Sequence, residues 1–330
     1  MHCTLSFNGG VMNCPTRRLA LLSACAFYPG SYSARFSTTQ KRCLTKVYSE
    51  HPDLIKIVSN EFILKPDFVT EEEELGLIDE LDSVLCKRKY QTQHWDYAIK
   101  NFRELERRNW HTRNQPVIDR LKTFTAKSSE CLTTVTKEAN VSDSDQLVLP
   151  LIHVLDLAEN GEIMAHVDSV KFCGQSIAVL SLLDHSILRL SVAPHSEVIG
   201  IPQDQYNHLH TLHLPAIGSW IDIYIPRRSV YLLCGALRYL MTHAILSNEQ
   251  VNDNRKNNLQ TKNHQHQQQQ CMNDLYNIHR GRRLSIICRT HAIPNLIPYY
   301  NTTNNTDNHE ESNVENLSIS VKNAYINENV

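Results

Sequence analysis

Apolar residues at helical intervals stand out first. Leu75, Ile78, Leu81 and Leu85 recur three and four positions apart, which predicts a helix with one buried face. Thr70 followed by Glu73 fits a capping box, and Glu71 to Glu74 complement the dipole of the first turn. That acidic run is therefore explained without a ligand. Upstream, a strand is expected at Leu54–Val58 or Phe62–Leu64, and further helical stretches over Tyr97–Arg107 and Val117–Phe124.

From Leu147 onward the period becomes that of strands. Leu147–Leu157, Ser176–Leu183, Ile187–Val192, Trp220–Ile225, Ser229–Leu233 and Leu284–Cys288 are short and rich in Ile, Leu and Val. Asn160-Gly161 and Pro226 supply turn chemistry between them. Ile221, Ile223 and Ile225 alternate with Trp220, Asp222 and Tyr224, as on a half-buried strand. The expected fold is mostly β with flanking helices. Two segments break the pattern: residues 247–274, which contain the tract His264 to Gln270, and residues 301–330, which contain nine asparagines. Both are expected to be disordered or poorly ordered.

A chain of 330 residues with 41% hydrophobic content can bury one sizeable core. One domain over residues 50–299 is expected, between an N-terminal segment (1–45) and an Asn-rich tail (300–330). The net charge of −2 hides an asymmetry, because residues 1–49 carry Arg17, Arg18, Arg35, Lys41, Arg42 and Lys46 and no acid. With Arg35 just before Ser37-Thr38-Thr39, the segment reads as a mitochondrial transit peptide, and the mature protein is expected in the matrix. No transmembrane helix is expected, since the apolar stretch Leu19 to Tyr28 falls short of the roughly 20 residues that span a bilayer. The ten cysteines show no CxxC pair and so indicate neither a zinc ribbon nor a disulfide framework. Residues 50–246 hold 27 Asp/Glu against 19 Lys/Arg. A core that acidic offers no obvious basic groove and disfavours duplex DNA as a partner.

Candidate chemistry sharpens the picture at two places. His166-Val167-Asp168 puts a nitrogen and a carboxylate ligand two positions apart, so a strand or strand end sends both to one side. One downstream histidine completes a facial triad, leaving three adjacent Fe(II) positions for a chelating 2-oxo acid and for O2. The second place is Arg283-Leu284-Ser285-Ile286-Ile287-Cys288-Arg289. The even spacing of the two arginines points both guanidinium groups into one pocket, and a dicarboxylate is their natural partner. Trp95, Tyr97, Phe102 and Trp110 are expected in the core rather than stacked on a flipped base. Arg280 and Arg282 read as a basic patch. His208, His210 and His213, in the segment 194–218, read as loop residues with no carboxylate at comparable spacing.

His166-Val167-Asp168, His243 and Arg283…Arg289 together resemble the pattern of the AlkB-like 2-oxoglutarate dioxygenases, and most closely a mitochondrial branch. The resemblance extends through His94-Trp95-Asp96-Tyr97-Ala98-Ile99, Phe102-Arg103-Glu104, His153-Val154-Leu155-Asp156-Leu157 and Tyr231-Leu232-Leu233-Cys234-Gly235-Ala236-Leu237-Arg238-Tyr239. It implies a double-stranded β-helix, or jelly roll, with Fe(II) held by His166, Asp168 and His243. It implies 2-oxoglutarate as cosubstrate, its distal carboxylate on Arg283 and Tyr231 and its metal-proximal carboxylate near Arg289. Leu155 and Leu157 stand where nucleic-acid-repairing relatives have polar residues, which implies a drier wall. Hydroxylation or demethylation of a protein, a metabolite or a mitochondrial RNA follows, in a process linked to alkylation-induced programmed necrosis and fatty-acid metabolism. The alternative is a regulatory module that binds metal and 2-oxoglutarate without efficient turnover.

Overall fold

A computed structural model of the chain describes residues 46–130, 147–260, 274–293 and 296–298. The segment expected as a transit peptide, the tail 300–330 and the Gln tract lie outside these residues. Strands run in the order β1 (Val47–Tyr48), β2 (Ile63–Lys65), β3 (Gln91–Gln93), β4 (Ile99–Arg107), β5 (Ile152–His166), β6 (Ile177–Leu182), β7 (Ser186–Val192), β8 (Trp220–Ile225), β9 (Ser229–Leu233), β10 (Met241–Ile245) and β11 (Arg283–Arg289). Every strand pair is antiparallel, in the sheet order β1-β8-β7-β10-β5-β11-β6-β9-β2, with β4 on the free edge of β5 and β3 beyond it.

The long strand β5 turns one sheet into two faces of a jelly roll. Its first half pairs with β11, from His153↔Ile287 to Leu157↔Arg283, and its end pairs with β10 at Ile163↔Ile245 and His166↔His243. One lobe therefore consists of β5, β11, β6, β9 and β2, and the other of the end of β5 with β10, β7, β8 and β1. Between the lobes lies an apolar core that includes Leu155, Leu157, Val179, Leu188, Leu190, Ile221, Ile223 and Met241. A second core forms on the outer face of the first lobe, where Val154, Leu180, Leu182, Leu284, Ile286 and Cys288 meet the helices α2 (Glu71–Leu85) and α3 (Gln115–Glu130).

Local chemistry explains several of these elements. The capping box on α2 is present in both directions, with the Glu73 N–H donating to Thr70 Oγ1 at 3.1 Å and the Thr70 N–H to Glu73 Oε2 at 2.9 Å. The acidic run is structural, as expected: Glu73 also accepts from Arg120, and the fully buried Glu74 accepts from Arg227 Nε and from the Leu183 N–H. The buried face of α2 is offset from the expected one. Leu77 faces the core and Leu75 is 56% exposed, because Glu74, not Leu75, is drawn inward by Arg227.

Other departures are larger. Leu54–Val58 lies in helix α1 (Pro52–Glu61), so the strand option at Phe62–Leu64 is the one that forms. Tyr97–Arg107 is not helical. Its Glu and Arg side chains favour a helix locally, but pairing with β5 prevails. Arg103 Nε reaches the buried Asp156 at 2.6 Å, and Arg107 Nη2 reaches the buried Glu80 at 2.7 Å. Asn160-Gly161 does not end a strand; β5 runs through it with a register shift opposite Lys100 and Phe102. The part of 247–274 nearest the core is ordered, forming a helix over Asn248–Gln260. That helix helps cover the outer face of β8, where Asp222 is fully buried against Arg189 and Tyr276 rather than half exposed. Among the described residues no helix is long and apolar enough to cross a membrane.

Candidate metal and cosubstrate site

The end of β5 and the middle of β10 bring three metal-ligand types together. His166 and His243 are direct register partners, and their ring centroids are 4.3 Å apart. Asp168, two residues past the strand, lies 3.8 Å from His166 Nε2 through Oδ1 and 3.9 Å from His243 Nε2 through Oδ2. One ligand atom from each residue falls within 4.8 Å of the other two, which is the spacing a single ion requires.

Their protonation suits a metal as well. His166 Nδ1 lies 2.8 Å from the Met164 carbonyl, which can only accept, so the Nδ1 proton points there and Nε2 offers its lone pair to the site. Burial, reinforced by the neighbouring His166, pushes the His243 imidazole down to about 3. Burial opposes ionisation of Asp168, yet His166, His243 and Arg289 around it hold its carboxyl well below the usual range. A neutral imidazole therefore faces an ionised carboxylate at neutral pH. Burial also works against a charge on His166, but Asp168 raises its pKa, so a metal arriving there competes with a proton.

The loop that carries Asp168 is pinned from beneath. Arg238, fully buried, donates to the Asp168 carbonyl at 2.8 Å, to the Gly174 carbonyl at 3.1 Å and to the Cys173 carbonyl at 3.1 Å. Gly174 is needed there, because a Cβ would stand 2.0 Å from the His291 carbonyl oxygen.

Strand β11 supplies the adjoining half of the cleft. Arg283, Ser285, Ile287 and Arg289 share its inner face, as their even spacing requires, while Leu284, Ile286 and Cys288 are fully buried on the outer one. All four inner residues line the same cleft as His166, Asp168 and His243, together with Leu155 and Tyr231. Arg283 is 1% exposed and donates through Nε to Ser181 Oγ at 3.0 Å. Burial lowers its pKa, opposed by Tyr231. Arg283 Nη2, Ser285 Oγ and Arg289 Nε are buried without any hydrogen-bond partner. Buried donors left open in this way are costly, and an acceptor-rich anion in the cleft would satisfy them. The residues thus fit both a divalent metal and a dicarboxylate.

The sequence-derived candidates His166, Asp168, His243, Tyr231, Arg283, Arg289 and Leu155 meet in this one cleft. Leu157, paired with Arg283, packs in the core behind it. Arg280 and Arg282 form no basic patch. Arg280 is buried against the carbonyls of Ala158 and Gly161, and Arg282 bridges Asp82 and Asp156. Phe102 and Trp110 are core residues, but Trp95 and Tyr97 are 83% and 66% exposed, at the tip of a hairpin where a helix was expected. His208 does have a carboxylate near it, with Nε2 3.3 Å from Glu61 Oε1, although the sequence places the two far apart. Ser181, Ser285 and Arg238 escaped the sequence reading. For Ser285 the signal was available, since it lies two positions from Arg283 on the same strand face.

No family model matches the chain. A mouse protein described as "Alpha-ketoglutarate-dependent dioxygenase alkB homolog 7, mitochondrial" is 31% identical over 277 residues, spanning 83% of this chain and 91% of the relative. A bovine protein of the same description is 31% identical over 228 residues, spanning 69% of this chain and 77% of the relative. Among solved structures, a Pseudomonas putida prolyl-4-hydroxylase aligns over 72% of this chain and 97% of its own, at 10% identity and a TM-score of 0.40.

Proposed function

Because the chain belongs to the alkB homolog 7 family of α-ketoglutarate-dependent dioxygenases, we propose that it acts in mitochondria, with Fe(II) on His166, Asp168 and His243 and 2-oxoglutarate on Arg283, Tyr231 and Arg289. The observation that carries this reading is the set of unsatisfied donors on Arg283, Ser285 and Arg289, which line one cleft with the three ligand atoms. Bound there, Fe(II) with 2-oxoglutarate and O2 would supply an oxidant for C–H bonds, so that a substrate would be hydroxylated, or would lose an N-methyl group as formaldehyde, with succinate and CO2 as coproducts.

The protein's own residues prepare that chemistry. The fork of Arg283 matches a carboxylate with two parallel hydrogen bonds, and Ser181 on its Nε and the Tyr231 hydroxyl beside it keep the fork in place. Leu155, the cross-strand partner of Ser285, keeps that wall apolar and strengthens the charge contacts of the neighbouring arginines. The substrate class that fits is a protein side chain, a metabolite or a structured mitochondrial RNA; the acidic balance of the core disfavours duplex DNA. The mitochondrial placement draws support from the relatives' printed descriptions and from the acid-free, arginine-bearing N-terminus. A role in programmed necrosis and fatty-acid metabolism is the process this assignment implies. Succinate release from 2-oxoglutarate, measured against mitochondrial protein and RNA pools with His166→Ala as control, tests the reading. Binding of 2-oxoglutarate without any succinate would favour a regulatory module instead.

A further inference from the structure

A line of polar side chains leads from Arg289 out of the cleft. Arg289 Nη2 lies 3.3 Å from His153 Nδ1, and His153 Nε2 lies 2.8 Å from Glu104 Oε2. Beyond Glu104, His94 places Nε2 3.5 Å from Oε1 and Nδ1 2.6 Å from Asp96 Oδ1. The strand register produces this meeting. Glu104 is paired with Leu155 and His153 with Ile287, so Glu104 and His153 stand on the same sheet face as Arg289.

Counting protons gives the line a direction. A guanidinium can only donate, so His153 Nδ1 must accept from Arg289. A neutral imidazole then carries its proton on Nε2, where the Glu104 carboxylate is in place to receive it. With the opposite tautomer, His153 would turn an N–H toward the N–H of Arg289 and face Glu104 with a bare lone pair. Glu104 thus selects the one neutral form of His153 that can hold Arg289. His153 lines the cleft and Glu104 does not, so any influence of Glu104 on a bound molecule passes through the histidine.

We propose that Glu104 is a positioning residue which, acting through His153, orients Arg289 toward the carboxylate of 2-oxoglutarate. The proposal rests on the assignment of Arg289 to the cosubstrate made above. It adds two residues to the cosubstrate site, one of them outside the cleft.

The test is an anaerobic titration of 2-oxoglutarate into the full-length, Mn(II)-loaded protein, with Mn(II) affinity measured in parallel. Glu104→Leu and His153→Phe should each weaken 2-oxoglutarate binding roughly tenfold, in the range seen when a partner behind a ligand is removed, with metal affinity unchanged. Glu104→Gln keeps an acceptor oxygen for the His153 N–H and should stay within about threefold of wild type. The double variant should bind no more weakly than His153→Phe alone, since both changes act on one contact. The inference is overturned if Glu104→Leu binds like wild type, if Glu104→Gln is as weak as Glu104→Leu, or if metal and 2-oxoglutarate affinities fall together. Glu104 is half-exposed, so its two variants decide the matter even where His153→Phe fails to fold. Arg283→Ala and Arg289→Ala separate the two levels of the argument. Should they also leave binding intact, the cosubstrate assignment itself fails; should only they weaken it, the role of Glu104 alone is refuted.

Discussion

His166 and His243 are cross-strand partners on β5 and β10, and the pairing sets their rings 4.3 Å apart on one side of the sheet. Register, more than either residue's local sequence, makes the candidate ligand set: a slip of one residue in β10 would send His243 to the opposite face.

Removing a ligand should therefore cost more than disturbing what surrounds it. His166→Ala and Asp168→Ala are expected to weaken Mn(II) binding by about 100-fold or more, beyond the roughly 10- to 100-fold typical of losing an outer partner. Metal titration followed by calorimetry checks this, and near-native affinity in either variant would contradict it.

Arg238 tests the support beneath the metal loop. It holds the carbonyls of Asp168, Cys173 and Gly174 and touches no ligand atom, so Arg238→Met should lower metal affinity by roughly tenfold. The same titration, with circular dichroism to verify folding, gives the readout.

Arg283 offers a different contrast. Its loss should weaken 2-oxoglutarate binding by roughly 10- to 100-fold, given about 1.5–3 kcal/mol for a hydrogen bond to a charged group, while leaving the metal in place. Arg283→Lys should rescue little, because an ammonium cannot reproduce the planar fork. Equilibrium dialysis of labelled 2-oxoglutarate compares the three proteins.

A pH dependence follows from Asp82. The hydrogen bond from Arg282, opposed by partial burial, holds the Asp82 carboxyl below its usual range in the folded protein. A group depressed in this way adds stability above its unfolded pKa and loses it as pH falls through the folded one. Asp82→Asn should thus melt below wild type at neutral pH, and the gap should close as pH falls below about 4. Thermal unfolding across that range measures it.

What the sequence made legible follows the physics of each pattern. The parity of Arg283 and Arg289 needs only a strand, and β11 is one; the same holds for His166 and Asp168 at the end of β5. Thr70 and Glu73 act within four residues, so their capping box could be read directly. Long-range pairing was out of reach. Ile99–Arg107 became a strand because Asp156 and β5 lie beside it, and its own residues carry no hint of that neighbour. The strand that bears His243 was not foreseen either, since Met241–Ile245 is short and its adjacent polar pair Thr242-His243 leaves no alternation to mark it. For the same reason the partners of Asp156, Glu74 and Glu104 emerged only in the folded chain.

In the proposed function one cleft serves both metal and cosubstrate. Its most direct test is 2-oxoglutarate binding to the full-length protein under anaerobic conditions, with and without Mn(II), in wild type and in His166→Ala. Binding that requires the metal and disappears in His166→Ala is the predicted result. Binding that is absent from wild type, or that persists unchanged in the variant, would contradict it.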